Sequence, residues 1–268
     1  CQGEHMHASQ PKEGKIELTS DIDGILTINV EKLLAVNSLG EMMIASRHGN
    51  FPVKTGDKIA GTRIIPLVIE EEKMQKACEA AGKEPIFQIL PYQKKKAGIV
   101  TTGSEVYYHR IEDKFTPVVI DKLKECGVTE VKQIQCNDDH EMITEAIQTL
   151  IEDGFDLIIC TGGMSVDPDD RTPLAIKNAC TEVVTYGAPV LPGAMFMLAY
   201  CEKEGRQIPV MGLPGCVMYA KRTIFDLVLP RIMCDEKLHE KDFRLLGQGG
   251  LCLSCPVCTF PNCGFGKG

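Results

Sequence analysis

The chain contains no run of apolar residues approaching the roughly 18–20 that a membrane-spanning helix needs. It also lacks an excess of positive charge, because 29 Lys and Arg stand against 37 Asp and Glu, which gives a net charge of −8. An acidic chain without a basic stripe is poorly suited to nucleic acid or an anionic membrane surface. We therefore expect neither of these among its partners.

Recognisable targeting and repeat signals are missing as well. No charged stretch followed by an apolar run opens the sequence, as a secretory signal peptide would. The first residue is Cys1 rather than Met, which leaves open whether further sequence precedes it. There is no internal repeat and no G-x-S-x-G elbow of a nucleophilic triad. The 268 residues, 44% of them hydrophobic, fit one domain of ordinary size plus a smaller module.

Cysteine, by contrast, is abundant, with 13 residues in the chain. Nine of them are scattered, several inside apolar runs such as that around Cys160. Such cysteines usually act as small apolar side chains in the core, and free cysteines are typical of proteins in a reducing compartment. We therefore expect a cytoplasmic protein.

The last four cysteines form a separate group in the C-terminal tail, 247–268. Cys252, Cys255, Cys258 and Cys263 have the spacing C-x₂-C-x₂-C-x₄-C. Four thiolates so close in sequence suit tetrahedral Zn²⁺ or a [4Fe–4S] cluster. The spacing predicts a metal-binding tail, and the choice between zinc and an iron–sulfur cluster stays open, as does the alternative of four free thiols on a flexible tail.

The residue pattern of the N-terminal third is typical of a β-rich module. Residues 1–13 are polar and show no periodicity, whereas 14–85 combine short apolar runs, frequent glycines and one connecting helix. Apolar residues at 16–18 and 25–28 flank a turn-rich segment, and this pattern predicts a hairpin.

From residue 86 to 235 short apolar runs alternate with longer amphipathic stretches. This alternation predicts an α/β domain with a mostly parallel sheet and helices on both faces. The predicted architecture is therefore a small β-rich N-terminal module, this α/β domain, and the short Cys-rich tail beyond a glycine hinge at 247–250.

Three apolar runs of the α/β domain end in glycine-containing turns that lead towards helices. They lie at 98–105, 157–172 and 210–217. Ligands of open α/β sheets bind beyond the carboxyl ends of the strands, and helix N-termini behind such turns attract anions. The turns therefore predict one cleft for an anionic or phosphorylated ligand.

Acidic residues follow the second turn. Asp167, Asp169 and Asp170 lie within four positions of one another. Mg²⁺ binds one or two carboxylates together with phosphate oxygens, so a magnesium site beside a bound phosphate is one interpretation. A solvated helix start at Thr172 is the other.

These motifs resemble the molybdopterin-binding domain family, which includes molybdopterin adenylyltransferases, molybdopterin molybdotransferases and gephyrin. The sequence T-T-G-S-E, the T-G-G-x-S turn with its following Asp and Thr, and G-L-P-G occur in the family's order. Order and spacing are most similar to the molybdotransferase branch, over about half the chain, from residue 97 to 233.

The resemblance implies residue roles at matching positions. The implied pterin- and phosphate-binding positions are Thr101, Thr102, Gly103, Ser104, Thr161, Gly162, Gly163, Met164, Ser165, Thr172, Pro192, Gly193, Leu213, Pro214 and Gly215. Asp170, helped by Asp113 or Glu105, is implied to act in catalysis by holding Mg²⁺, with Asp167 and Asp169 beside it. The implied reaction inserts molybdate into adenylylated molybdopterin and releases AMP.

Several positions depart from that branch. Leu191 and Ala194 replace two lysines, and Pro168 replaces a glutamate. Further departures are Lys114, Phe115, Cys216 and Val217. Lysines there would hold an oxyanion such as molybdate, so pterin binding is better supported than metal insertion.

Two other functions therefore stay open. One is a non-catalytic carrier or sensor of the cofactor, and the other is a nucleotide pyrophosphatase of the competence-damage-inducible type. The resemblance also implies other cofactor-biosynthesis proteins or apo-molybdoenzymes as partners, and a homo-oligomer is a further expectation. The sequence does not distinguish molybdenum from tungsten.

Overall fold

The computed structural model describes residues 1–165, 167 and 169–268. Within it the chain divides into two units, Cys1–Tyr92 and Gln93–Gly268. None of the helices in the described part is both long and apolar enough to cross a membrane.

The first unit is built from two small antiparallel sheets and two helices. Its strands β1 to β7 are Met6–Ala8, Lys15–Ser20, Gly24–Ile28, Met42–Ser46, Phe51–Val53, Lys58–Ile64 and Phe87–Pro91. Its helices are α1, Val30–Asn37, and α2, Glu71–Ala81. One sheet has the order β1-β2-β6-β4 and the other the order β5-β3-β7.

The boundaries of this unit differ from those expected at 13 and 85. Met6–Ala8 pairs with β2, so the polar N-terminal segment contributes a strand. Phe87–Pro91 pairs with β3, and Phe87 is fully buried in the core of this unit. The unit therefore extends to Tyr92, because strand pairing between distant segments holds both of its ends.

The hairpin expected between residues 16 and 28 does not form. Strand β2 pairs with β1 and β6, whereas β3 pairs with β5 and β7. The prediction was wrong because the two strands belong to different sheets, and local alternation does not identify a strand's partner.

The second unit contains the α/β domain. Its strands β8 to β13 are Lys96–Thr102, Glu130–Cys136, Leu157–Thr161, Glu182–Tyr186, Met197–Lys203 and Arg206–Leu213. Its helices α3 to α9 are Ser104–Tyr107, Phe115–Glu125, His140–Glu152, Thr172–Ala179, Cys216–Tyr219, Ile224–Met233 and Glu240–Leu245.

These strands form one six-stranded sheet with the order β11-β12-β13-β10-β8-β9. The strands β13, β10, β8 and β9 run parallel to one another, whereas β12 runs antiparallel to both β13 and β11. The predicted α/β fold is confirmed, and the antiparallel strand lies on the side of the sheet away from β8 and β9.

Alternating side chains of the central strands are buried on both faces of this sheet. Ile158 of β10 and Val210 of β13 pack in one cluster with Ile147 of α5. Ile159 and Met211, one position further along each strand, point to the opposite face and are fully buried too. The central strands are therefore continuous apolar runs, as buried parallel strands require.

Two separate helices, α7 and α8, occupy the amphipathic stretch at 216–233. Thr223 begins α8 with a capping box, in which its hydroxyl accepts from Phe225 N and its own N–H donates to Asp226. Asp226 also forms a buried ion pair of 2.6 Å with Lys122, which joins α8 to α4. This capped start explains why one periodic stretch becomes two helices.

The tail belongs to the second unit. Leu191 N donates to Gly250 O, Cys252 N donates to Leu191 O, and Gly266 N donates to Gly249 O. Phe265 is buried, with 4% of its surface exposed. The glycines at 247–250 therefore act as part of a docked segment rather than as a free hinge.

Candidate functional site

The carboxyl ends of three neighbouring strands lie side by side in the second unit. Thr101 of β8 is in register with Thr161 of β10, and Thr161 is in register with Leu213 of β13. The three glycine turns that follow these strands therefore share one edge of the sheet, where ligands of α/β folds bind. The sequence predicts that the three turns form one cleft, and the strand register gives the physical reason why they lie together.

A cleft of about 640 Å³ opens at this edge. The described residues that line it are Thr101, Thr102, Val106, Ile111, Glu112, Asp113, Lys114, Phe115, Thr161, Gly162, Met218 and Tyr219. Five of the positions implied by the family resemblance thus lie in its wall.

Asp113 is the predicted catalytic residue that the structure places in the cleft. Its carboxylate accepts hydrogen bonds from Phe115 N at 2.9 Å, Thr116 N at 3.0 Å and the side-chain amide of Gln133 at 2.7 Å. Burial alone would raise the pKa of Asp113, but these hydrogen bonds hold the pKa below its ordinary value. The cleft therefore contains a carboxylate that stays ionised at neutral pH.

Thr101 belongs to the same network. Its hydroxyl lies 2.9 Å from that of Thr116 and accepts from Gln133 at 2.8 Å. This network joins the end of β8, the start of α4 and the edge strand β9. It fixes the rotamers of the polar side chains on one wall of the cleft.

Thr161 differs from the other threonines of the cleft. Its hydroxyl is buried and has no hydrogen-bond partner among the described residues. A buried hydroxyl without a partner costs about 1–3 kcal/mol, so a partner for it is to be sought. Thr161 lies at the carboxyl end of β10 and lines the cleft.

The glycines of the second turn are required by contacts within the protein. Gly162 has φ +89°, and a Cβ there would lie 2.3 Å from the carbonyl oxygen of Thr102. Gly163 has φ +54°, and its Cβ would lie 2.7 Å from the hydroxyl of Thr172. Thr172 in turn donates to Gly162 O at 2.9 Å and lies 3.1 Å from the Thr102 hydroxyl. The turn is thus packed against β8 and the start of α6.

The acidic residues after this turn stabilise their own loop. Asp170 accepts from Ser165 N at 2.5 Å, and Asp167 accepts from Asp169 N at 3.0 Å. Among the described residues, no three His, Cys, Asp or Glu side chains are grouped so that they could hold a metal ion. Pro168, one of the departures from the family pattern, lies outside the described residues.

Other predicted positions lie away from the walls of the cleft. Glu105 is exposed on α3, and the neighbouring Ser104 N donates to Asp138 at 2.9 Å. Met164 is buried in the apolar core below the sheet edge. Gly193 is buried, and a Cβ there would lie 2.4 Å from the side chain of Ile224. Pro192 and Gly193 therefore support the start of α8.

The third turn presents its glycine to open space. Leu213 is fully buried at the end of β13, and Pro214 is buried beside it. Gly215 is exposed, has an ordinary φ of −55°, and a Cβ there would have no neighbour within 4 Å. Gly103, with φ +129°, has equally open surroundings. These two glycines leave room for a ligand to approach the backbone.

The four tail cysteines line a second cavity of about 500 Å³. Cys252 and Cys263 are half-buried, and Cys255 and Cys258 are exposed. Tyr219 lines this cavity as well as the cleft. The two cavities thus share one wall.

Sequence reasoning missed Thr116, Gln133 and Tyr219. The spacing of Asp113 and Thr116, three positions apart before an apolar helix, is a helix-start signal that could have linked the first of these to Asp113. Gln133 carries no local signal, because it reaches Asp113 only through the pairing of β8 and β9.

Comparison with known proteins identifies related sequences for part of the chain. The CinA-like protein of Mycobacterium tuberculosis (strain ATCC 25618 / H37Rv) is 35% identical over 85 residues, which are 32% of this chain and 20% of that protein. The CinA-like protein of Mycobacterium avium (strain 104) is 34% identical over 95 residues, 35% of this chain and 22% of that protein. The chain spans about a fifth of the length of these curated relatives.

Solved structures with a similar fold were also found. A putative molybdenum cofactor biosynthesis protein from Corynebacterium diphtheriae is 15% identical, covers 53% of this chain and 97% of its own, and gives a TM-score of 0.43. The tungsten cofactor synthesizing protein MoaB from Pyrococcus furiosus is 21% identical, covers 47% and 84%, and gives a TM-score of 0.40.

A protein-family model matches the region of the chain that contains the cleft. The model is described as a probable molybdopterin binding domain, and it matches residues 98–233, half of the chain. That region includes the three glycine turns and the unpaired hydroxyl of Thr161. The chain therefore belongs to the molybdopterin-binding domain family.

Proposed function

We propose that the cleft binds molybdopterin, or its adenylylated form, with the phosphate end against the strand-end threonines. The buried, unpaired hydroxyl of Thr161 is the observation that carries the proposal. A phosphate oxygen in the cleft would accept from this hydroxyl and remove the cost of its burial. Thr101 and Thr102 also line the cleft and add polar groups to it.

The charged residues that line the cleft are Glu112, Asp113 and Lys114. Lys114 is the cation among them that could pair with a phosphate group. Asp113, which is ionised, would repel a phosphate unless a cation lies between them. The residue that would hold Mg²⁺ is therefore Asp113, and the ion would neutralise charge on the ligand's phosphate oxygens.

The reaction we propose is insertion of molybdate with release of AMP. Of the three acids implied by the family resemblance, Asp113 lies in the cleft, whereas Asp170 caps its own loop and Glu105 is exposed. Water would attack the pyrophosphate of the adenylylated ligand, the phosphoanhydride bond would break, and AMP and molybdopterin monophosphate would form. Molybdate would bind the two dithiolene sulfurs of the pterin and lose oxide ligands as water, with no change in the oxidation state of molybdenum. No covalent intermediate with the protein is needed, and an apo-molybdoenzyme would receive the product.

One experiment separates this function from its alternatives. The full chain is incubated anaerobically with adenylylated molybdopterin, Mg²⁺ and molybdate, and AMP is quantified. Release that depends on molybdate supports the transferase, and an intact, protected ligand supports a carrier or sensor. Cleavage of other dinucleotides as well supports a pyrophosphatase, the alternative that the similarity to CinA-like proteins keeps in view. Absence of binding in calorimetry would reject the proposed ligand.

A further inference from the structure

The tail cysteines lie in a loop that is closed at both ends. Cys252 N donates to Leu191 O at 2.8 Å at the start of the loop, and Gly266 N donates to Gly249 O at 2.9 Å at its end. The loop between them, 251–265, is called here the tail loop. Its two ends are fixed on the second unit, so its four thiols are confined to one place.

Apolar packing does not explain how the tail loop is ordered. It contains no helix, and several of its apolar side chains are exposed, with Leu253 78% and Val257 76% exposed. Phe265 is buried at its end and packs edge to face against the half-buried Phe260. Ordering this many residues costs roughly 1–2 kcal/mol each in backbone entropy, which exposed apolar groups do not offset. Metal ligation within the loop would help to offset this cost.

The thiols supply the ligands for such an interaction. All four are free, and all four line the same cavity of about 500 Å³. We propose that Cys252, Cys255, Cys258 and Cys263 bind one metal centre, as four thiolate ligands of Zn²⁺ or of an iron–sulfur cluster. Each thiol loses its proton on ligation, and the metal–sulfur bonds contribute the missing stability of the loop.

The thiols line the walls of the cavity, so ligation draws them inwards. As placed, no three of the described His, Cys, Asp or Glu side chains converge closely enough to hold an ion. The ends of the loop are fixed, and Cys255 and Cys258 between them are exposed. The cis Phe260–Pro261 bond and the Thr259–Asn262 turn lie between the third and fourth cysteines.

Positive charge beside the cavity favours thiolates. Lys221 and Arg222 both line it, and the Lys221 ammonium donates to Pro256 O of the tail loop at 2.9 Å. The Arg222 guanidinium lies 5.2 Å from the ring centre of Phe260, which is also in the loop. Cations near a cysteine lower the energy of its thiolate, and a four-thiolate centre carries net negative charge.

The proposed centre lies next to the cleft. Tyr219 lines both cavities, and the segment 219–222 forms the wall on the tail side. Metal binding in the tail loop therefore orders this wall. Amide hydrogen exchange within 219–222 reports that ordering without any pterin ligand, so the metal site can be tested independently of the proposed function.

The first experiment measures metal in the full chain, purified anaerobically and without chelator. We expect about one Zn per chain, or about four Fe with acid-labile sulfide. Cys255→Ser should lower that content at least tenfold. Cys78→Ser is the matched control, because Cys78 is an exposed free cysteine on α2 of the first unit, and it should retain the metal.

Reconstitution distinguishes the two metals and guards against loss during purification. Metal-depleted full chain is titrated with Co²⁺ as a probe for zinc, and separately with Fe²⁺ and sulfide. Tetrahedral thiolate bands with Co²⁺ support the zinc form, and thiolate-to-iron absorption supports the cluster. Stoichiometric binding should slow exchange in 219–222 and 251–265. Binding in neither arm, or equal metal content in Cys255→Ser and Cys78→Ser, would overturn the proposal.

Discussion

Gln133 and Asp113 are joined across the site by a hydrogen bond of 2.7 Å from amide to carboxylate. The donor lies on β9, at the edge of the sheet, and the acceptor precedes α4. The same amide also donates to the hydroxyls of Thr101 and Thr116. The carboxylate in the cleft therefore has a hydrogen-bond donor on a strand 20 positions away, in addition to the donors at the start of α4.

Replacing this donor should change the titration of Asp113. In Gln133→Met the carboxylate loses one hydrogen bond, so its pKa should rise towards the ordinary value, about 3.9. A carboxyl whose folded pKa is depressed adds stability above its unfolded pKa and loses it as the pH falls through the folded pKa. The variant should therefore lose less stability than wild type between pH 4 and the folded pKa. NMR titration and acid unfolding check this, and Gln135→Met on the same strand is the control.

Thr161→Val should separate stability from binding. The valine keeps the shape of the side chain and removes a buried hydroxyl without a described partner, so stability should be unchanged or rise by up to about 1–3 kcal/mol. Affinity for molybdopterin should fall about tenfold, the equivalent of one hydrogen bond. Urea unfolding and calorimetry measure the two effects.

The control for this variant is Thr172→Val. It removes a hydroxyl that donates to Gly162 O and should destabilise the fold by about 1 kcal/mol. If Thr161→Val were destabilising and bound the ligand normally, the hydroxyl would have a structural partner and no role in binding.

Gly215→Ala tests whether the ligand approaches the third turn. A Cβ there meets no protein atom within 4 Å and φ is ordinary, so the free energy of unfolding should change by less than about 0.5 kcal/mol. A ligand in contact with this backbone should bind at least tenfold more weakly. Gly163→Ala should instead lower stability, since φ is +54° and the new Cβ lies 2.7 Å from Thr172. Normal affinity in Gly215→Ala would place the ligand elsewhere in the cleft.

The ion pair between Lys122 and Asp226 should matter for stability. Both side chains are buried, at 10% and 3% exposure, and Lys122→Met leaves the acid with Arg222 and the Thr223 backbone as partners. We expect a loss of about 3 kcal/mol in thermal or urea unfolding. Lys124→Met, which removes an exposed pair with Asp121, should cost less than about 0.5 kcal/mol. Equal effects would contradict the assignment of Lys122 as a buried ionic contact.

Thiol reactivity should follow burial. Burial raises the pKa of Cys136 to about 11, and the fully buried Cys160 thiol is raised further. Neither should be alkylated at pH 8 in the folded protein, whereas the exposed Cys78 should react readily. Mass spectrometry before and after denaturation checks this order. Rapid labelling of Cys136 would indicate local opening of the sheet edge.

Local sequence patterns are sufficient to identify the class of the main domain. Buried parallel strands such as Leu157–Thr161 are continuous apolar runs, and α5 has a strongly one-sided apolar pattern, so local composition is enough to distinguish them. The glycine turns were visible for the same reason, since glycine adopts the positive φ of Gly162 and Gly163 without strain. These features depend on a few consecutive residues.

Tertiary structure alone decided which residues meet. Phe87–Pro91 joins the first unit through pairing with β3, some 60 positions earlier, and no local pattern specifies that partner. The acids after the second turn accept hydrogen bonds within their own loop. The Asp113 carboxylate, in contrast, accepts a hydrogen bond from Gln133 on β9. The tail loop is closed by backbone hydrogen bonds to Leu191 and Gly249. Propensity and periodicity act over a turn or two, whereas strand register and long-range hydrogen bonds form only when distant segments are brought together.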